Sequence, residues 1–99
     1  MIIYEVTAVV EARLAETYER YMREHHIPDV LASGCFQSAE LTSATPGRYR
    51  IRYQASTEED LERYFASHAA RLRGDFAYRF PEGVALSREV WTVMQQWDG

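Results

Sequence analysis

A hairpin signal lies at the centre of the chain, in CFQSAELTSATPGRYRIRYQAS over residues 35–56. Pro46 presets the first central position of a type II turn, and Gly47 tolerates the positive φ that the second position needs. After the turn, alternation puts Tyr49, Ile51 and Tyr53 on one face of a strand and arginines on the other. The stretch therefore predicts two antiparallel strands joined at the Pro-Gly corner.

Before the hairpin, the chain predicts a strand and then a helix. Residues 2–10 alternate between two faces and are rich in β-branched side chains, which is typical of a strand. From residue 12 to residue 26 the apolar positions recur every three or four residues, which predicts an amphipathic helix. We expect Pro28 to end this helix, because a proline disfavours helical geometry at the residue before it.

After the hairpin, the pattern is helix and then strand. Thr57 suits a helix N-terminus, and an apolar stripe continues from Leu61 to Leu72, beyond which we expect Gly74 to break or kink the helix. Residues 84–94 predict a final strand. The order β-α-β-β-α-β predicts one α+β domain over residues 1–99, with a ferredoxin-like four-stranded antiparallel sheet and two helices on one face. Because that leaves the other face bare, we expect a homodimer through the sheet.

The charge balance limits the partners. The chain has 11 basic residues, all arginine, against 15 acidic ones, for a net charge of -4. An acidic domain lacks the footprint that non-specific nucleic-acid or anionic-membrane binding needs, and no segment approaches the roughly 20 apolar residues of a membrane span. The first residues do not have the pattern of a signal peptide. Cys35 has no cysteine partner, which suits a reducing compartment, so we expect a cytoplasmic protein.

The register of the hairpin decides where Glu40 points. If the proline and the glycine are the only turn residues, Glu40 pairs with Tyr53 and faces the helices with it. A one-residue bulge would instead turn Glu40 outward. The opposite face gathers Arg50 and Arg52, with Glu5 as their complement. We interpret that face as exposed or interfacial ion pairs, and an anion site built from the arginines is the alternative.

Polar groups on the inward stripes predict a pocket between the helices and the sheet. His25 and His68 each lie on the inward stripe of a helix, and Glu40 joins them in the predicted register. Imidazole and a desolvated carboxyl group both titrate near neutrality, so these three are the candidate catalytic residues for general acid–base chemistry. The candidate ligand-binding residues are Tyr4, Tyr21, Tyr53, Tyr64 and His26. The structural alternative is a satisfied polar patch in a core built largely from tyrosines.

Metal and cofactor motifs are absent from the sequence. His25 and His26 diverge by about 100° around a helix, so they do not bind one ion together. No Cys-X-X-Cys or His-Glu-X-X-His pattern occurs. A haem ligand from His25 or His68 has no further support in the residues. We therefore expect neither a metal nor a cofactor.

Three blocks carry a family resemblance: MIIYEV at residues 1–6, EHHIPDVLASGCFQSAEL at 24–41 and LERYFASHAARLR at 61–73. They resemble the uncharacterised bacterial domain-of-unknown-function family 4286. That family is similar to the dimeric α/β-barrel superfamily, in which two ferredoxin-like protomers pair through their sheets. The wider group includes cofactor-free monooxygenases, haem-degrading enzymes, small isomerases and stress-response proteins. The resemblance implies a homodimer and assigns no catalytic residues.

Two classes of function fit these features. The leading hypothesis is a homodimeric protein that binds a small organic molecule between sheet and helices; as an enzyme, it would perform cofactor-independent acid–base or oxygenase-type chemistry. The alternative is a non-catalytic homo-oligomeric or regulatory module that uses its bare sheet face, and haem binding is a third option. A polar-lined cavity favours the first class, and a closed, filled interior favours the second.

Overall fold

Four strands form a single antiparallel sheet in the computed structural model, which describes residues 1–99. They are β1 (Ile2–Val10), β2 (Ser38–Ser43), β3 (Arg48–Ala55) and β4 (Val84–Thr92), in the spatial order β2-β3-β1-β4. β1 pairs with both β3 and β4, and β3 pairs with β2, all antiparallel. This topology confirms the predicted ferredoxin-like α+β fold.

Two helical arms connect the strands. The first contains a 3₁₀ turn (Ala12–Leu14), α1 (Ala15–Tyr21), a π-helical segment (Met22–His26) and α2 (Ile27–Ala32). The second contains α3 (Glu58–Ser67) and α4 (Ala69–Arg79). None of these helices has the length and apolarity that crossing a membrane would require.

Alternation along the central strands fixes which face of the sheet meets the helices. Tyr4 and Ala8 on β1 and Ile51 and Tyr53 on β3 are buried in one core with side chains from both helical arms. Burying a large apolar side chain stabilises the fold by about 1.5–3 kcal/mol, so this face holds the arms in place. The opposite, open face carries the arginines of β3, which are exposed as predicted.

The first helical arm continues past Pro28, contrary to the prediction. Pro28 lies in the first turn of α2, directly after a π-helical segment in which the N–H of Ile27 donates to Met22 O five residues earlier, and this local change of pairing accommodates the proline within the helix. The preceding π-helical segment winds the chain more loosely than an α-helix does. Buried or half-buried side chains therefore recur at intervals of four, at Tyr18, Met22, His26 and Val30. This places His26 inward and leaves His25 exposed, which reverses the prediction for His25.

The second arm breaks at His68 rather than at Gly74. His68 has φ -130° and ψ -35° between α3 and α4, whereas Gly74 lies within α4. The predicted N-terminus is confirmed, because the side chain of Thr57 accepts a hydrogen bond from the backbone N–H of Asp60 at 3.2 Å.

The β2–β3 hairpin contains the predicted turn and one additional residue. Arg48 donates its backbone N–H to Thr45 O at 2.9 Å and accepts from the N–H of Ala44 at 3.1 Å, so two residues oppose one. This bulge shifts the register by one residue relative to the tight hairpin. Glu40 consequently pairs with Arg52 rather than with Tyr53, and it is exposed on the open face. The predicted inward position of Glu40 is wrong.

The turn is also held against the end of β1. The backbone N–H of Val10 donates to Gly47 O at 2.7 Å, and Gly47 has a φ of 83°. A Cβ atom at position 47 would lie 2.6 Å from the carbonyl oxygen of Val10. The close approach and the positive φ therefore both require glycine here.

Candidate functional site

A cavity lies between the helix-facing side of the sheet and the two helical arms. It contains about 430 Å³ of atom-free space including its open mouth, of which about 30 Å³ admits the centre of a water molecule. Its walls are mostly apolar, and no carboxylate lines them. The lining side chains that carry polar groups are Tyr4, Tyr18, Tyr53, Tyr64, His26, Arg73 and Arg88. The interior is therefore neither closed nor purely apolar.

His26 is the titratable imidazole of this cavity. It is half-buried, and its ring lies edge-on to Phe76 with the centroids 5.5 Å apart. Burial lowers the pKa of His26, and the charge of Arg88 lowers it further, whereas Asp29 and Asp75 act in the opposite direction. The net lowering favours the neutral imidazole, which accepts a proton.

Four tyrosines line the cavity: Tyr4, Tyr18, Tyr53 and Tyr64. The ring of Tyr4 lies 5.9 Å from those of both Tyr53 and Tyr64. Burial raises the pKa of Tyr64 to about 12 and also raises that of Tyr53, so both hydroxyls stay protonated at neutral pH. The Tyr18 hydroxyl is fully buried without a hydrogen-bond partner in the protein, and its pKa is likewise raised by burial. These phenols supply neutral hydrogen-bonding groups to an apolar cavity.

Two arginines lie at the mouth. Arg73 on α4 donates from Nη2 to the hydroxyl of Tyr4 at 3.2 Å, and Arg88 approaches from the edge strand β4. Both side chains are exposed, and neither forms a salt bridge. Their guanidinium donors are thus not neutralised by a carboxylate of the chain.

Four of the five predicted ligand-binding residues line the cavity. They are Tyr4, Tyr53, Tyr64 and His26. Tyr21 packs beside His26, with the ring centroids 6.1 Å apart, but it is not part of the wall.

The candidate catalytic residues lie elsewhere. Glu40 is on the open face, and His25 lies in a shallow polar depression beside Arg20 and Arg79. His68 is half-buried at the α3–α4 junction, where its ring stacks on Tyr64 at 6.4 Å, outside the cavity wall. His68 packs against Tyr64, which lines the cavity. The catalytic role of His68 stays a prediction.

Sequence reasoning missed the two arginines and Tyr18 as cavity residues. A signal existed for Arg88, because it interrupts the helix-facing row of Val84, Leu86 and Val90 on β4. An arginine among the apolar, helix-facing side chains of a strand indicates either a polar site or a strand at the edge of the sheet. Arg73 has no such signal, since surface arginines on helices are common.

The open face of the sheet carries the predicted ion pairs. Glu5 is only 14% exposed, and its Oε1 lies 3.7 Å from Nε of Arg50 and 3.5 Å from Nε of Arg52. Two large apolar side chains, Val9 and Trp91, are also about half exposed there. On neither face do three histidine, cysteine, aspartate or glutamate side chains converge as a metal site requires.

The family model described as "Domain of unknown function (DUF4286)" matches residues 1–94. The chain belongs to this family. No curated protein matches it in sequence.

Solved structures share the fold of this DUF4286 protein at low sequence identity. A MhuD variant with two manganese protoporphyrin IX molecules per active site is 16% identical, with a TM-score of 0.74 over 100% of both chains. A variant of SnoaB, a cofactor-independent oxygenase from Streptomyces nogalater, is 11% identical, with a TM-score of 0.72 over 96% of this chain and 94% of its own. A dimeric ferredoxin-like protein from an uncultured marine organism is 8% identical, with a TM-score of 0.71 over 100% of both chains.

Proposed function

We propose that this protein binds a small organic molecule in the cavity between its sheet and its helices. The observation that carries the proposal is a mostly apolar cavity with a few convergent polar groups, which is the usual composition of a ligand site. Three of those groups can form further polar interactions, because the Tyr18 hydroxyl has no hydrogen-bond partner and the two arginines at the mouth have no carboxylate partner. A closed, filled interior favours the non-catalytic alternative, whereas the open mouth and the polar lining groups of this cavity support ligand binding.

His26 replaces His25 as the proposed general base for cofactor-independent acid–base chemistry, and Glu40, on the open face, no longer serves to orient the bound molecule. His26 is the titratable cavity residue whose lowered pKa favours the neutral, proton-accepting form. The buried phenols of Tyr53 and Tyr64 orient the bound molecule as neutral donors. SnoaB, with the same fold, is a cofactor-independent oxygenase, so the fold accommodates catalysis without a cofactor.

Haem does not fit this cavity, although MhuD binds a porphyrin. The space that admits the centre of a water molecule is about 30 Å³, room for about two or three waters. A planar macrocycle of four pyrrole rings does not enter between this sheet and these helices. A single-ring molecule, by contrast, is small enough to sit across the open mouth, where the side chains of Arg73 and Arg88 are exposed.

The binding proposal is tested by filling the cavity. In Leu86→Trp, the indole occupies the space beside Arg88, and small molecules that co-purify with the wild type are lost, as measured by native mass spectrometry of the purified protein. Leu41→Trp is the matched control, because Leu41 is also a half-buried strand leucine but lies outside the cavity. Retention of the same molecules by Leu86→Trp, or the absence of any cavity ligand from the wild type, would refute the proposal.

We further propose that two copies pair through their open sheet faces. The burial of Glu5 between two arginines and the exposure of Val9 and Trp91 give this face the mixed character of an interface. Trp91→Asp should convert the dimer to a monomer in sedimentation velocity experiments. Tyr78→Asp, which alters an exposed aromatic residue on α4, should leave the dimer unchanged.

A further inference from the structure

Charge is distributed unevenly between the cavity and the rest of the molecule. The chain has four more acidic than basic residues, yet the cavity wall contains two arginines and no carboxylate. Asp29 and Asp75 are near enough to affect the pKa of His26, but neither forms a salt bridge with an arginine of the mouth. The mouth therefore presents positive charge to whatever enters.

The two arginines that line the cavity lie on different secondary-structure elements. Arg73 reaches the mouth from α4 and hydrogen-bonds the hydroxyl of Tyr4, while Arg88 projects from β4 on the helix-facing side of the sheet. The charges of both act on the Tyr64 hydroxyl, and each lowers the pKa that burial raises. Both arginines therefore act on the same tyrosine, and they share the cavity wall with His26.

We propose that the ligand of this cavity is an organic anion with an apolar ring and a carboxylate, held at the mouth by Arg73 and Arg88. The inference rests on the proposed binding function and specifies its ligand class. The planar, multi-donor guanidinium matches a carboxylate in geometry and charge. The ring of such a molecule lies across the mouth of the cavity, beside the half-buried side chain of Leu86.

Benzoate and benzamide form a matched pair of probes, since they have the same ring and number of non-hydrogen atoms but only benzoate is charged. Each is titrated into the purified protein while the ring C–H signals of its three histidines are followed by NMR. The His26 signal, assigned with His26→Gln, reports cavity binding, and the exposed His25 serves as an internal reference. We expect benzoate to bind about tenfold more tightly than benzamide, the ratio that one net charge-assisted hydrogen bond provides.

Three variants identify the origin of the preference. The double variant Arg73→Gln with Arg88→Gln should lose the tenfold ratio, and the corresponding double lysine variant should keep most of it, because it retains the charge. Arg71→Gln removes an exposed arginine of α4 outside the cavity and should change nothing. Circular dichroism establishes that each variant is folded.

The outcomes separate the two proposals. If both probes shift the His26 signal with equal affinity, or if the glutamine variant keeps the wild-type ratio, the anion inference is overturned while the binding function stands. If neither probe shifts the His26 signal, the anion inference is also overturned, and the binding function is then decided by the co-purifying molecules of the wild type and of Leu86→Trp.

Discussion

Replacing Gly47 by alanine tests whether the docking of the hairpin turn on β1 stabilises the fold. A non-glycine residue at this φ of 83° costs about 1–2 kcal/mol. The new Cβ would also lie 2.6 Å from the backbone oxygen of Val10, so the turn must move away. That movement breaks the hydrogen bond from Val10 N–H to Gly47 O, at a cost of about 0.5–1.5 kcal/mol. The total loss is about 1.5–3.5 kcal/mol, from a typical stability of about 5–15 kcal/mol.

Gly34→Ala is the matched control. Gly34 has a similar φ of 75°, but no atom lies within 4 Å of the position of its Cβ. This variant should therefore lose only the conformational contribution of about 1–2 kcal/mol. The measurement is urea unfolding followed by circular dichroism, supported by Tm values, which fall by roughly 4–8 °C per kcal/mol in a domain of this size. Equal losses for Gly34→Ala and Gly47→Ala would show that the contact with Val10 contributes nothing, and the account of the docked turn would be wrong.

Two further predictions concern the tyrosines and the cavity histidine. Tyr49→Phe removes the hydrogen bond that the hydroxyl donates to Glu19 at 2.6 Å and should lower the free energy of unfolding by about 1–2 kcal/mol, whereas Tyr18→Phe removes no protein hydrogen bond. An equal loss in urea unfolding would contradict this assignment. Because burial puts the folded-state pKa of His26 below its ordinary 6.5, the unfolded chain takes up the proton first, and stability should fall as the pH drops below about 6.5. Comparing about pH 7.5 with about pH 5, His26→Gln should reduce this fall and His25→Gln should not; the reverse result would place the buried imidazole at position 25.

The alternation and spacing of apolar residues predicted the order of strands and helices and the facing of the central strands. These features are local, because β1 and β3 each repeat an apolar side chain every second residue. The tyrosines of the cavity were found in the same way, since Tyr4 and Tyr53 belong to those rows. On the first helical arm, His25 was predicted to face inward, but His26 does so instead. A π-helical segment is not encoded in any simple periodicity, and it rotates the following residues by a fraction of a turn.

The location of the candidate site depended on contacts that no local pattern contains. One bulge residue at the hairpin moved Glu40 to the other face of the sheet, because side chains alternate with a period of two and a shift of one residue reverses them all. Arg88 pairs with the helix-facing row of β1 and shares the cavity wall with Arg73, and both facts depend on segments far apart in sequence. The elements and their order could be read from the residues because they follow from short-range periodicity. Which charged side chains share the cavity could not, because register and helical phase are set by packing between distant segments.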